Sequence, residues 1–255
     1  MESGAPVQLD NVTMAFGDRP VFDGVSCTFP SGRISVLLGG SGSGKSTLLR
    51  LIGGLIRPRA GRVLVDGENV TRLTKRDLFR VRRKIGMLFQ GGALLDSMTV
   101  FDNLALPLRE HDRLDEPSVA AAVHDRLEAV GLRDVDGLLP SQLSGGMVKR
   151  VALARAIIRN PAVLLCDEPF SGLDPISMRR IETLLTRLNR TRGMTTLVVS
   201  HDVGSTMRMA SRVLMLLPGG HVSGVPTELR ASADPRVRAF LSHELDEGFD
   251  LPEAS

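Results

Sequence analysis

The nine residues GGSGSGKST, Gly39 to Thr47, constrain this chain more than any other stretch. They satisfy G-x-x-x-x-G-K-[ST], and they sit between ISVLL (34–38), which reads as a buried strand, and STLLRLIGG (46–54), which reads as a helix. That order is the structural context a phosphate-binding loop requires. Gly39, Gly40, Gly42 and Gly44 carry no side chain, and with Ser41 and Ser43 they let successive backbone N–H groups converge on an anion at a helix mouth. Lys45 offers the cation for the outer phosphates, Ser46 offers a hydroxyl to Mg²⁺, and Thr47 closes the motif.

Two adjacent carboxylates end a second apolar run, AVLLCDEP (162–169). A carboxylate at the C-terminal end of a strand faces the crevice where open α/β sheets bind ligands. Asp167 is placed to hold Mg²⁺, and Glu168 to polarise an attacking water, since a carboxylate just off the metal remains free to accept a proton. Gln90 follows IGMLF and His201 follows TTLVVS, so both project from strand ends toward the same crevice. Gln90 can orient a water or ligate Mg²⁺. His201 can hydrogen-bond a terminal phosphate.

A third stretch, LSGGMVKR (143–150), opens a helix-like run with Ser144, Gly145 and Gly146. Bare glycines at a helix mouth suit an anion. Apart from Lys149 and Arg150 further into the run, no metal ligand or base of its own stands nearby, so it reads as half a site.

The remaining pattern is that of an α/β domain. β-rich runs at 34–38, 62–65, 85–89, 162–167 and 195–200 alternate with helical segments, which argues for a mostly parallel sheet covered by helices. Residues 176–190 carry the stripe Ile181, Leu184, Leu185, Leu188, with Gly193 as a stop. Thr99 to Ile158 reads as a helical insertion. Val7 to Pro30, split by Gly17 and Gly24, suits an antiparallel flank. Cys27 and Cys166 form no C-x-x-C pair, and Cys166 reads as a core residue. No apolar run approaches the roughly 20 residues of a membrane-spanning helix, and MESGAPVQLD shows no secretory signal, so a cytoplasmic protein is expected. The basic run Thr74 to Lys84 reads as a solvated helix face, with contact to nucleic acid or acidic lipid as the alternative, and HELDEGFDLPEAS (243–255) as a frayed acidic tail.

Phosphate loop, FQ after a strand, LSGG before a helix, LLCDEP, SGLD (171–174) and SHD (200–202), in this order, resemble the ATP-binding subunits of ATP-binding cassette (ABC) transporters. The likeness spans roughly Val7 to Leu241. It implies a RecA-like P-loop core with an antiparallel β flank and a helical subdomain, one ABC ATPase domain over 1–242. It also implies Mg²⁺ and ATP, with adenine stacked on Phe16. Family members pair head to tail, which places Ser144 on the γ-phosphate held by Lys45 of the partner subunit and Asp174 at the shared interface.

Met147, where the family usually has Gln, joins LFQGGALLDSMTVFDNLALPLREH (88–111), DEPFSGLDPIS (167–177) and DPRVRAFL (234–241) in resembling the Mla-type, Mce-associated branch. That branch implies a homodimer on the cytoplasmic face of the inner membrane, bound to a transmembrane permease, a small STAS-domain protein and an Mce-domain lipid-binding protein, moving phospholipid between membranes without nucleic acid. An importer ATPase for another small substrate is the alternative. The interval between Lys45 and Asp167 leaves no room for the long coiled coil of chromosome-type members. Gly40 stands where a Pro is common in the loop, and the tail after Leu241 does not match the branch.

Overall fold

The computed structural model describes residues 4–112 and 114–246. In chain order it contains β1 (Val7–Phe16), β2 (Arg19–Phe29), β3 (Ile34–Leu38), α1 (Lys45–Ile52), β4 (Ala60–Val65), β5 (Glu68–Asn69), α2 (Lys75–Arg82) and β6 (Ile85–Leu88). There follow α3 (Val100–His111), α4 (Glu116–Ala129), α5 (Gly145–Ala156), β7 (Val163–Asp167), α6 (Pro175–Arg192), β8 (Thr195–Ser200) and α7 (Val203–Met209). The chain closes with β9 (Arg212–Leu217), β10 (Gly220–Gly224), α8 (Pro226–Arg230) and α9 (Pro235–Asp246).

Six strands form one sheet in the order β10-β9-β3-β8-β7-β6, parallel except for the β9–β10 hairpin. Its central strands β3, β7 and β8 are buried along their whole length. This follows from both faces being covered, which removes the polar alternation of a half-exposed strand. Val36, Leu164, Cys166 and Val198 pack into a core with α3, α4, α5 and α6. The alternate residues Leu37, Val163, Leu165, Leu197 and Val199 pack on the other face against α1 and the second sheet. Cys166 is thus the core residue its sequence suggests, and burial pushes its thiol pKa up.

The second sheet is antiparallel, β2-β1-β4-β5. RVLV (62–65), grouped by the sequence with the parallel strands, belongs here as the end of β4 and pairs with β1. Its apolar Val63 and Val65 face the same core as α1, so composition alone does not separate the two sheets. Gly17 turns the β1–β2 hairpin with φ 58°, as expected. Gly24 does not split a strand. It sits inside β2 at φ 60°, as an irregularity in the ladder. The run RVLMLL, absent from the strands expected from the sequence, forms β9 and pairs in parallel with β3.

The insertion expected over Thr99 to Ile158 is helical: α3, α4 and α5 contribute Leu104, Leu108, Val119, Val123, Leu127, Val151 and Leu153 to one core. Helix α6 begins on the cap Asp174 and ends at Gly193, φ 67°, the left-handed stop foreseen from the sequence. The basic run is α2, capped by Thr74, with only Val81 buried. Helix α9 reaches Asp246, so the tail expected from residue 243 starts within it, and its remainder lies outside the described residues.

Gly86 sets how closely α5 approaches the sheet. A Cβ there would stand 2.1 Å from the Ala156 carbonyl oxygen, a backbone atom that cannot rotate away. Gly86→Ala is therefore expected to lower unfolding stability by about 2 kcal/mol or more, read as a shifted midpoint in chemical denaturation.

Candidate nucleotide-binding site

The loop after β3 needs its glycines for two separate reasons. Gly39 has φ 154°, and a Cβ there would stand 2.5 Å from the Leu216 carbonyl oxygen of β9. Gly44 has φ 95° and lies against Val21, whose Cγ1 would be 2.6 Å from an added Cβ. Helix α1 starts at once with Lys45, and its N-cap Gly44 supplies no side-chain cap, so the first-turn N–H groups stay available to an anion. The Lys45 ammonium, 6% exposed, donates to the carbonyls of Gly39 at 2.6 Å and Gly40 at 2.8 Å. At the next residue, the Ser46 hydroxyl donates to Asp167 Oδ1 at 2.7 Å, joining two of the three residues expected to serve Mg²⁺. A hydroxyl and a carboxylate side by side are the hard oxygen donors that ion prefers.

Strand register delivers the rest. β6, β7 and β8 are parallel neighbours, so the residues just beyond their C-terminal ends meet at one edge. Gln90 Nε2 donates to Glu168 Oε2 at 3.3 Å, and His201 Nδ1 lies 3.8 Å from Glu168 Oε1. Glu168 turns the chain off β7 at φ 45°, a left-handed conformation that costs a non-glycine residue about 1 kcal/mol or more. Phe16, Arg19, Ser41, Gly42, Gly44, Lys45, Ser46, Thr47 and Glu168 share one cavity of about 460 Å³. Phe16 is 55% exposed there, its ring free to stack.

The structure does not bring Ser144, Gly145 or Gly146 into that cavity. They lie at the mouth of α5, where the Ser144 hydroxyl accepts from Met147 N at 3.3 Å. Space above Gly145 is open for 4 Å. Asp174 accepts from the amides of Ile176 and Ser177, both at 3.0 Å, and its hydrogen bonds with Ser177 hold its carboxyl below the ordinary range.

Two residues near the site belong to no motif. Arg19 stands opposite Phe16 across the hairpin. Lys149 donates to the Gln90 carbonyl and lies 3.3 Å from Ser171 Oγ, which in turn donates to the Glu168 carbonyl at 3.0 Å. Burial pulls the Lys149 pKa below the lysine range, against the opposing charge of Glu168. The available signal was a lysine spaced three and four residues from Ala152 and Leu153, on a core-facing helical stripe.

A family model described as ABC transporter matches residues 22–171, from β2 through the loop after β7. The chain belongs to the ABC transporter family. This ABC ATPase is 48% identical over 236 residues to the intermembrane phospholipid transport system ATP-binding protein MlaF of Escherichia coli K12, covering 92% of this chain and 88% of that protein. Its identity to MlaF of Haemophilus influenzae is 44%, over 94% of this chain and 91% of the relative. The probable ribonucleotide transport ATP-binding protein mkl of Mycobacterium leprae is 38% identical, over 95% of this chain and 70% of that one. Among solved structures, the dimeric ATP-binding cassette MJ0796 in a post-hydrolysis state with ADP and Pi superposes with a TM-score of 0.79. Identity to it is 33%, over 86% of this chain and 98% of that one. The cassette cbiO1 of Clostridium perfringens, part of the transporter complex cbiONQ, gives 0.82 at 25% identity, over 96% and 97% of the two chains.

The exposed ring of Phe16 yields a direct test of the expectation that a nucleotide base stacks there. Phe16→Ala is expected to weaken mononucleotide binding by about tenfold, equivalent to about 1.4 kcal/mol, while Phe16→Tyr leaves it near wild type. Titration with a fluorescent ATP analogue reads both.

Proposed function

We propose that this ABC ATPase powers a phospholipid transporter of the Mla type, working as a head-to-tail homodimer that holds Mg²⁺ and ATP at each of two interfaces. The observation that supports the dimeric reading is that Ser144, Gly145 and Gly146, at the mouth of α5, are not among the residues that line the cavity of Phe16, Lys45 and Glu168. The exposed helix mouth is completed, in this reading, by the phosphate loop of a second copy.

In this reading Lys45 and the loop amides bind the phosphates, while Ser46, Asp167 and Gln90 would hold Mg²⁺, which when bound would supply positive charge against the transferred phosphoryl group. Glu168 polarises the attacking water, Gln90 and His201 orient it, and Ser144 of the partner subunit closes the γ-phosphate side. Asp174 lines the seam. ATP bound by both subunits favours the closed dimer, and hydrolysis returns it to the open one.

The phospholipid cargo is supported by the 44% and 48% identity to the two MlaF proteins across most of the chain. The same relationship supports a place on the cytoplasmic face of the inner membrane, beside a permease, a small STAS-domain protein and an Mce-domain lipid-binding protein. In this reading the permease provides the membrane attachment; among the described residues no helix is long and apolar enough to cross a membrane. The mkl relatives keep a second reading in view, an importer ATPase for another small substrate. Purifying the complex with its membrane partners and identifying bound lipid by mass spectrometry separates the two: phospholipid supports the first, and its absence beside another bound solute supports the second.

Two substitutions test the chemistry. Glu168→Gln is expected to keep ATP binding, lose turnover by about a hundredfold or more and trap a dimer visible by gel filtration. Ser144→Arg is expected to abolish turnover yet leave mononucleotide affinity unchanged, because the damage lies across the dimer. Normal turnover by an obligate monomer contradicts the shared-site reading.

A further inference from the structure

The helix that a subunit lends to its partner also reaches back into its own site through one side chain. Lys149 lies one turn inside α5 and is 8% exposed, on the face that buries Ala152 and Leu153. Packing does not call for a charge there, since a methionine would fill similar space. Withdrawing an ammonium from water is costly unless it is well paired. Its hydrogen-bond partners are both neutral, the Gln90 carbonyl and the Ser171 hydroxyl.

What these two acceptors share is Glu168. The Gln90 amide sits 3.3 Å from the Glu168 carboxylate, and the Ser171 hydroxyl donates to the Glu168 carbonyl at 3.0 Å. One bond from the lysine therefore reaches the loop that touches the carboxylate, and the other reaches the hydroxyl that holds the backbone. That backbone is at φ 45°, a conformation which persists in a non-glycine residue only where its surroundings over-determine it.

We propose that Lys149 is a positioning residue for hydrolysis, fixing the Gln90 and Ser171 segments around Glu168 so that the carboxylate meets the attacking water in one geometry. It does so from the helix whose N-terminus serves the opposite ATP, and so ties a subunit's own base to the element it lends away. The inference rests on the reading of Glu168 as the base, which Glu168→Gln tests separately.

Lys149→Met is expected to lower kcat by about tenfold or more, because a small misplacement of a catalytic group is costly, with KM for ATP and mononucleotide affinity changed by less than about twofold. Lys149→Arg, which keeps the charge and the donors, is expected to retain most of the rate. Ser171→Ala removes one hydroxyl at a half-buried position and is expected to lower kcat about fivefold, the worth of a hydrogen bond. The double variant Lys149→Met, Ser171→Ala is expected to be no slower than Lys149→Met, since both act along one path. Normal kcat in Lys149→Met, losses that multiply in the double variant, or a KM rise that accounts for the loss overturns the proposal. If Lys149→Met fails to fold, an unchanged kcat in Ser171→Ala overturns it alone. Wild-type turnover in Lys149→Met beside an inactive Glu168→Gln removes the strut and leaves the base in place.

Discussion

Parallel pairing of β3, β8, β7 and β6 is the constraint from which the site follows. Ile34 to Leu38 lies beside Thr196 to Ser200, and Val163 to Asp167 lies beside Thr195 to Val199, each in unbroken register. Because the strands share a direction, their C-terminal ends share an edge, and every polar residue that follows a strand arrives there. A one-residue slip in β7 would exchange the faces of Leu164 and Leu165 and carry Glu168 out of reach of both Gln90 and His201. The apolar cores above and below the sheet thereby act as the positioning device for a handful of polar atoms.

Close approach at that edge has local costs, and they fall on identifiable residues. Gly39 and Gly44 accept backbone angles and contacts that a Cβ would forbid. Glu168 has a Cβ and takes the left-handed conformation regardless. Its amide donates to the Val199 carbonyl at 3.2 Å and its own carbonyl accepts from Ser171, so both sides of the strained peptide are tied down. Lys149 adds a buried charge to the same small region. Strain and buried charge gathered around one carboxylate are the pattern expected where geometry matters more than stability.

Much of this was legible in the chain because the informative residues are local. The phosphate loop declares itself by spacing, the α6 stripe by its period and Gly193, and the carboxylate pair by its place at the end of an apolar run. The less legible parts are those that depend on what lies across space. RVLV and ISVLL look alike, yet one pairs antiparallel with β1 and the other parallel with β8, because pairing partners are not written in either run. β9 was passed over although it is as apolar as β3, and Arg19 and Lys149 carry no motif.

Sequence by itself determined the donor groups: a glycine-rich loop, a lysine, a serine and an acidic pair, each following an apolar run, supply the backbone amides, the cation and the hard oxygens that suit an anion and a divalent metal. Tertiary structure alone decided which residues meet. It joined Ser46 to Asp167 and Gln90 to Glu168, left Ser144 out of the lining of the cavity that holds Lys45, and turned an inconspicuous helical lysine inward to the loops around Glu168. The physical reason is that hydrogen bonds act over about 3 Å, whereas the residues that form them here are separated by long stretches of chain and come together only when the sheet closes.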